Sequence, residues 1–214
     1  MKINKGGAVR WTAGIVGGLM LAGVGSAALA AFPDAEDSGD VDVKVDIAQV
    51  AGGALSLTIA GTETTLTENG TTATERVFTG ELPEVTVTDT RDDVAAGAFW
   101  YVTGQAGDFI GATGQPNISA AQLGWLPADI EEGNGEVAPG DEIVPASDDE
   151  TLPGNNTGLV SGDDLLYMAL DSAEAKAVQG SWSTTADLTL KTEPNVAPGK
   201  YTSLLTLSLF EDSF

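Results

Sequence analysis

Carboxylates are the only abundant reactive groups in this sequence, which has 32 Asp or Glu, 9 Lys or Arg, no histidine and no cysteine. Asp92-Asp93, Asp148-Asp149 and Asp163-Asp164 are adjacent acids, which do not by themselves point to glycoside hydrolysis, where two carboxyls flank a sugar cleft at a set separation. With so many acids such pairs arise by chance, and a solvated acidic face is the simpler reading of all three. Without His or Cys there is no thiol nucleophile, imidazole base, disulfide or ordinary zinc set. A serine nucleophile would need a lysine base. Beyond the first thirty residues the lysines are Lys44, Lys176, Lys191 and Lys200, and none has a Ser-x-x-Lys spacing. The sequence therefore predicts a chain that is not an enzyme and carries no cofactor.

One metal expectation survives. A helix–loop–helix calcium loop read from Asp34 fails because Val45 stands where the last carboxylate is needed. A loose structural calcium site built from loop acids and carbonyls stays open, with no residues assigned, because calcium accepts six to eight oxygens without fixed spacing.

The formal charge of −23 repels phosphate backbones, which excludes nucleic acid as a partner. Lys2, Lys5 and Arg10 open the chain, Trp11 to Ala30 is almost wholly apolar, and Ala28 and Ala30 sit where a signal peptidase reads small residues. Residues 1–30 are predicted to be a cleaved signal peptide, with a retained membrane anchor as the alternative. Cleavage leaves 214 − 30 = 184 residues with 9 − 3 = 6 bases against 32 acids, a charge of −26 and no stable membrane span. The expected localisation is secreted.

Residues 31–40 read as a flexible acidic start and 41–214 as one domain. Val41 to Ile47 alternates apolar and polar residues, as a half-buried strand does, and so do Ala54–Ile59 and Val85–Asp89, while Phe99–Thr103 reads as a central strand. Asn69-Gly70 predicts a tight hairpin turn, with Arg76–Gly80 pairing back. Pro83 marks an edge or a break. Residues 104–157 read as a long acidic loop region with short strands near 121–125 and 142–144. Leu165–Leu170 is expected to be a strand, with a helical turn over Ser172–Val178. Ser181–Leu190 and Tyr201–Leu209 alternate cleanly and are expected to pair as the closing strands. Phe78, Trp100, Trp125, Tyr167, Trp182 and Tyr201 are the aromatics available for a core. Many short alternating segments with no long amphipathic helix predict an all-β, immunoglobulin-like β-sandwich with long acidic loops.

Val85 to Arg91, then Phe99-Trp100-Tyr101-Val102-Thr103 and Asp108-Phe109, resemble the WxL-like cell-surface proteins of Gram-positive bacteria. Leu123-Gly124-Trp125-Leu126-Pro127, Ala186–Leu190 and Pro198–Thr202 are similar to later strands of that group. The first W-x-L position reads Trp100-Tyr101-Val102, and the terminal one reads Leu205-Thr206-Leu207 without a tryptophan. The resemblance implies a secreted protein held non-covalently on peptidoglycan, often within multi-protein surface complexes. Asp89, Arg91, Trp100, Tyr101 and Trp125 are the candidate ligand-binding residues, docking cell wall glycan or another surface protein. The structural reading of the same residues is an Asp89–Arg91 pair that clamps the loop before a core-anchoring Trp100. The alternative function is a pilin-like or adhesin subunit that assembles by strand exchange.

Overall fold

The computed structural model describes residues 52–130, 135–148 and 155–214. The expected signal peptide, acidic start and Val41–Ile47 strand lie outside the described residues, as do some acids of the loop region 104–157.

Buried alternation builds the first layer. In β4 (Val85–Asp89) Val85, Val87 and Asp89 face inward, and β4 pairs antiparallel with β1 (Leu55–Ile59) and β10 (Ser181–Thr184). Next to it, β3 (Arg76–Glu81) pairs with β2 (Thr67–Glu68) and β11 (Ala186–Thr192), and β11 with β7 (Leu123–Pro127). The two sheets run end to end. Trp182, Thr184, Ala186, Leu188, Leu190 and Thr192 are all buried, so inward alternation continues across Thr185, and Leu82 N–H donates to Ala186 O at 2.8 Å beside the break at Pro83. The outer face of β4 and β10 is sealed by hydroxyls, with Thr86 to Ser183 at 2.7 Å and Thr88 to Ser181 at 3.1 Å.

The second layer has the order β13-β5-β9-β8, comprising β5 (Ala98–Ala106), β8 (Val137–Pro139), β9 (Asp164–Ala169) and β13 (Leu205–Ser213). Helix α1 (Ser172–Val178) is capped by Asp171, whose side chain accepts from Ala173 and Glu174 N–H. A small ribbon of β6 (Ile110–Gly111) and β12 (Tyr201–Thr202) completes the described strands. The all-β sandwich is thus observed.

Three tryptophans and a tyrosine fill the space between layers. The Trp100 ring meets Tyr167 edge-on at 5.3 Å and Trp182 at 5.4 Å. The Tyr167 hydroxyl lies 3.2 Å from Val85 O and 3.4 Å from Trp182 O, tying β9 to the opposite layer, and burial raises its pKa. Gly104 of β5 faces the Trp125 indole so closely that a Cβ there would meet ring carbons at 2.5 and 2.7 Å. Phe78 and Tyr201 border this core and stay partly exposed.

Two sequence expectations are corrected. Asn69-Gly70 makes no two-residue turn: Gly70 takes φ 77°, but the hairpin tip lies further on, where Thr72 Oγ1 accepts from Thr74 and Glu75 N–H at 3.2 Å each. The threonine hydroxyl takes over the turn-forming role. Ser181–Leu190 and Tyr201–Leu209 do not pair with each other. β11 pairs with β3 and β7, and β13 pairs with β5 in the other layer, because the Pro-containing segment 193–204 carries the chain across. Residues 137–139 form β8 within the region read as acidic loop, and Ile143 bridges Trp125.

Candidate functional site

Backbone alternation decides which aromatics reach the surface. Trp100 and Val102 face inward, so Phe99 and Tyr101 of β5 face outward. β13 pairs Phe210 with Tyr101 and Asp212 with Phe99, and just beyond its end the Phe214 N–H donates to Gly97 O at 3.2 Å. Four rings lie in a row with nearly parallel planes: Phe214 to Phe99 at 4.6 Å, Phe99 to Tyr101 at 5.9 Å and Tyr101 to Phe210 at 5.3 Å. Phe210 is 45% and Phe214 93% exposed. A contiguous row of rings on a sheet, with Phe99 and Tyr101 half-buried and Phe210 and Phe214 exposed, is the kind of patch that marks a docking surface.

The expected site residues divide. Tyr101 stands in this row. Trp100, 0% exposed, and Trp125, 1% exposed, are core residues whose rings do not reach a ligand, because burying a large ring between the layers stabilises the fold more than displaying it. Asp89 and Arg91 form the expected clamp. Asp89 Oδ1 accepts from Arg91 N–H at 3.0 Å and Nε–H at 2.9 Å, and Oδ2 accepts from Nη2 at 2.6 Å. The Asp89 side chain is wholly buried. Burial pushes its carboxyl pKa up, but the Arg91 side chain and backbone N–H pull it down by more, leaving it below the ordinary value. Arg91 Nη1 also pairs with Glu211 of β13, on the face of that strand opposite the aromatic row, so one guanidinium joins the two layers. Asp89 and Glu211 together raise the Arg91 pKa.

Phe99, Phe210 and Phe214 were missed in the sequence. Their signal was the parity of the strands: once Trp100 points inward, Phe99 cannot, and Phe210 and Phe214 are spaced to share a face in an extended chain. Glu211 gave no signal, because its partner stands 120 residues away.

The acidic pairs also sort by geometry. Asp148 binds Lys191, which lies 3.5 Å from Glu75 as well. Asp164 departs from the solvated-face reading. It opens β9, is 8% exposed and has a buried Oδ2 with no hydrogen-bond partner among the described residues. Burial raises its pKa, aided by neighbouring Asp163 and opposed by Ser161. It lines a cavity of about 370 Å³ with Asp141, Asn155, Thr157, Ser161 and Asp163. A carboxyl with a raised folded pKa favours folding fully below its ordinary value of about 3.9 and loses that contribution as pH rises through the raised value. In chelator at pH 7, Asp164→Asn is therefore expected to raise stability by about 1 kcal/mol, or roughly 3 °C in Tm for a domain of this size. Melts of both proteins at pH 7 and pH 4 check this, with the difference vanishing at pH 4.

Among the described residues no three acidic side chains converge closely enough to hold a metal as they stand, and no helix is long and apolar enough to cross a membrane. No protein-family model and no curated protein sequence matches the chain. Among solved structures, it is similar to a chain from a structure titled "Chaperone-tip adhesin complex is vital for synergistic activation of CFA/I fimbriae biogenesis", with a TM-score of 0.38 and 10% sequence identity over 74% of this chain. That overlap spans 43% of the other chain's length.

Proposed function

We propose that this is an exported, non-catalytic cell-envelope protein of the WxL-like kind that binds a glycan or a partner surface protein through the aromatic row on β5 and β13. The row itself carries the reading. Ring faces stack on the apolar C–H face of a sugar or on a partner's side chains, while Asp212 beside them accepts hydrogen bonds from hydroxyls. Export supports it through the basic, apolar and small-residue order of positions 1–30. A chain without His or Cys has few routes to an activated nucleophile, which supports a binding role.

The test is cosedimentation of the mature protein with purified cell walls. Retention at physiological salt is expected, with a loss of about tenfold or more for Tyr101→Ala combined with Phe210→Ser, at unchanged Tm, because each ring contributes on the order of 1 kcal/mol. Equal retention of the double variant would remove the aromatic row from the binding account.

A second reading has its own observation. Among the described residues β13 is hydrogen-bonded on one side alone, to β5, and Leu205 to Phe210 holds no charge, proline or bulge that would block a further strand. An extended segment of another copy added there would make the protein an assembling, pilin-like or adhesin subunit. Size-exclusion chromatography with and without residues 31–48 separates the readings: concentration-dependent oligomers lost with that segment support assembly, and monomers in both cases dismiss it.

A further inference from the structure

We propose that the cavity at the start of β9 binds a calcium ion, held by Asp164 with Asp141, Asp163, Asn155, Ser161 and Thr157. Each of these side chains ends in a hard oxygen donor, and calcium takes six to eight such oxygens in flexible geometry. The cluster differs from an ordinary solvated acidic patch in Asp164, which is 8% exposed and leaves Oδ2 unpaired inside the protein. Ser161 gives the Asp164 carboxylate some support, but a buried carboxylate oxygen without a partner is costly, and a bound cation would offset that cost.

No base supplies it. The ion pairs among the described residues use Arg76, Arg91 and Lys191, and none reaches these aspartates. Asn155 is already positioned, since its Nδ2 donates to Glu142 O at 3.1 Å while its Oδ1 remains an acceptor. Ser161 Oγ accepts from Asp163 N–H at 3.2 Å and holds the turn that leads into Asp164. Asp141 and Asp163 are exposed and do not converge with Asp164 as they stand, so binding requires these two side chains to move toward Asp164. The absence of His and Cys disfavours zinc, and magnesium demands a stricter octahedron than this mixed set provides.

Calorimetric titration and thermal melts of the mature protein with calcium chloride, magnesium chloride or chelator test the site. The expected result is one saturable calcium site, with a dissociation constant of about 10⁻⁴–10⁻³ M as in other exported modules, and a Tm rise with calcium that magnesium does not reproduce. Asp164→Asn, which keeps the fold, is expected to weaken this site by about tenfold or more, whereas Asp92→Asn on a distant acidic pair leaves it unchanged. Equal, unsaturable effects of both ions would show charge screening alone and overturn the proposal, as would full calcium affinity in Asp164→Asn. The aromatic row plays no part in this test, so its outcome is separate from that of wall binding.

Discussion

Trp100→Ala is expected to destabilise the protein by about 4 kcal/mol, the range for emptying a buried tryptophan site. Domains of this kind have a total stability of only about 5–15 kcal/mol, so this one change removes a large share. The cost is high because the ring has partners in both layers: it meets Tyr167 of its own sheet edge-on and Trp182 of the facing sheet. Its Nε1 has no hydrogen-bond partner among the described residues, so what the site requires is aromatic volume. Trp100→Phe is accordingly expected to lose less than half as much. Urea unfolding of the three proteins checks the order, and an alanine variant as stable as the parent would show that the layers close over the gap.

The second large effect belongs to the ion clamp. Arg91→Ala leaves the Asp89 carboxylate buried and unpaired and frees Glu211 from the first layer, for an expected loss of about 3 kcal/mol. The double variant Asp89→Asn with Arg91→Ala should recover part of that loss, because the stranded charge is gone. The pH dependence follows from the direction of the Asp89 shift. A carboxyl with a depressed folded pKa adds stability above its ordinary value of about 3.9 and loses that contribution as pH falls through the lower, folded value. The gap between parent and Arg91→Ala, measured by melts from pH 7 to pH 3, is expected to narrow below about pH 4. A gap that is constant over this range would assign the loss to the arginine's packing instead of its charge.

Local alternation was legible in the sequence. Val85 and Val87 and the inward run from Trp182 to Leu190 follow the period of a half-buried strand, and the Asp89–Arg91 spacing showed that the two side chains could meet. What depends on contacts far apart in the chain was not legible. The Arg91–Glu211 pair, the placement of β13 beside β5 and the transfer of residues 193–204 between layers are settled by packing, which the local pattern does not encode. β8 escaped because Val137-Ala138-Pro139 offers one β-branched residue and a proline. Asp164 carried an unused signal, since it stands two positions before Leu166 and shares its inward face.

The two broad sides of this sandwich are chemically unlike. One carries paired threonine and serine hydroxyls across β4 and β10, and the other carries the row of rings. A copy lying on a substratum by its rings would turn its hydroxyl-bearing side, without that row of rings, toward the medium, so coverage would stop at a single oriented monolayer with a wettable top.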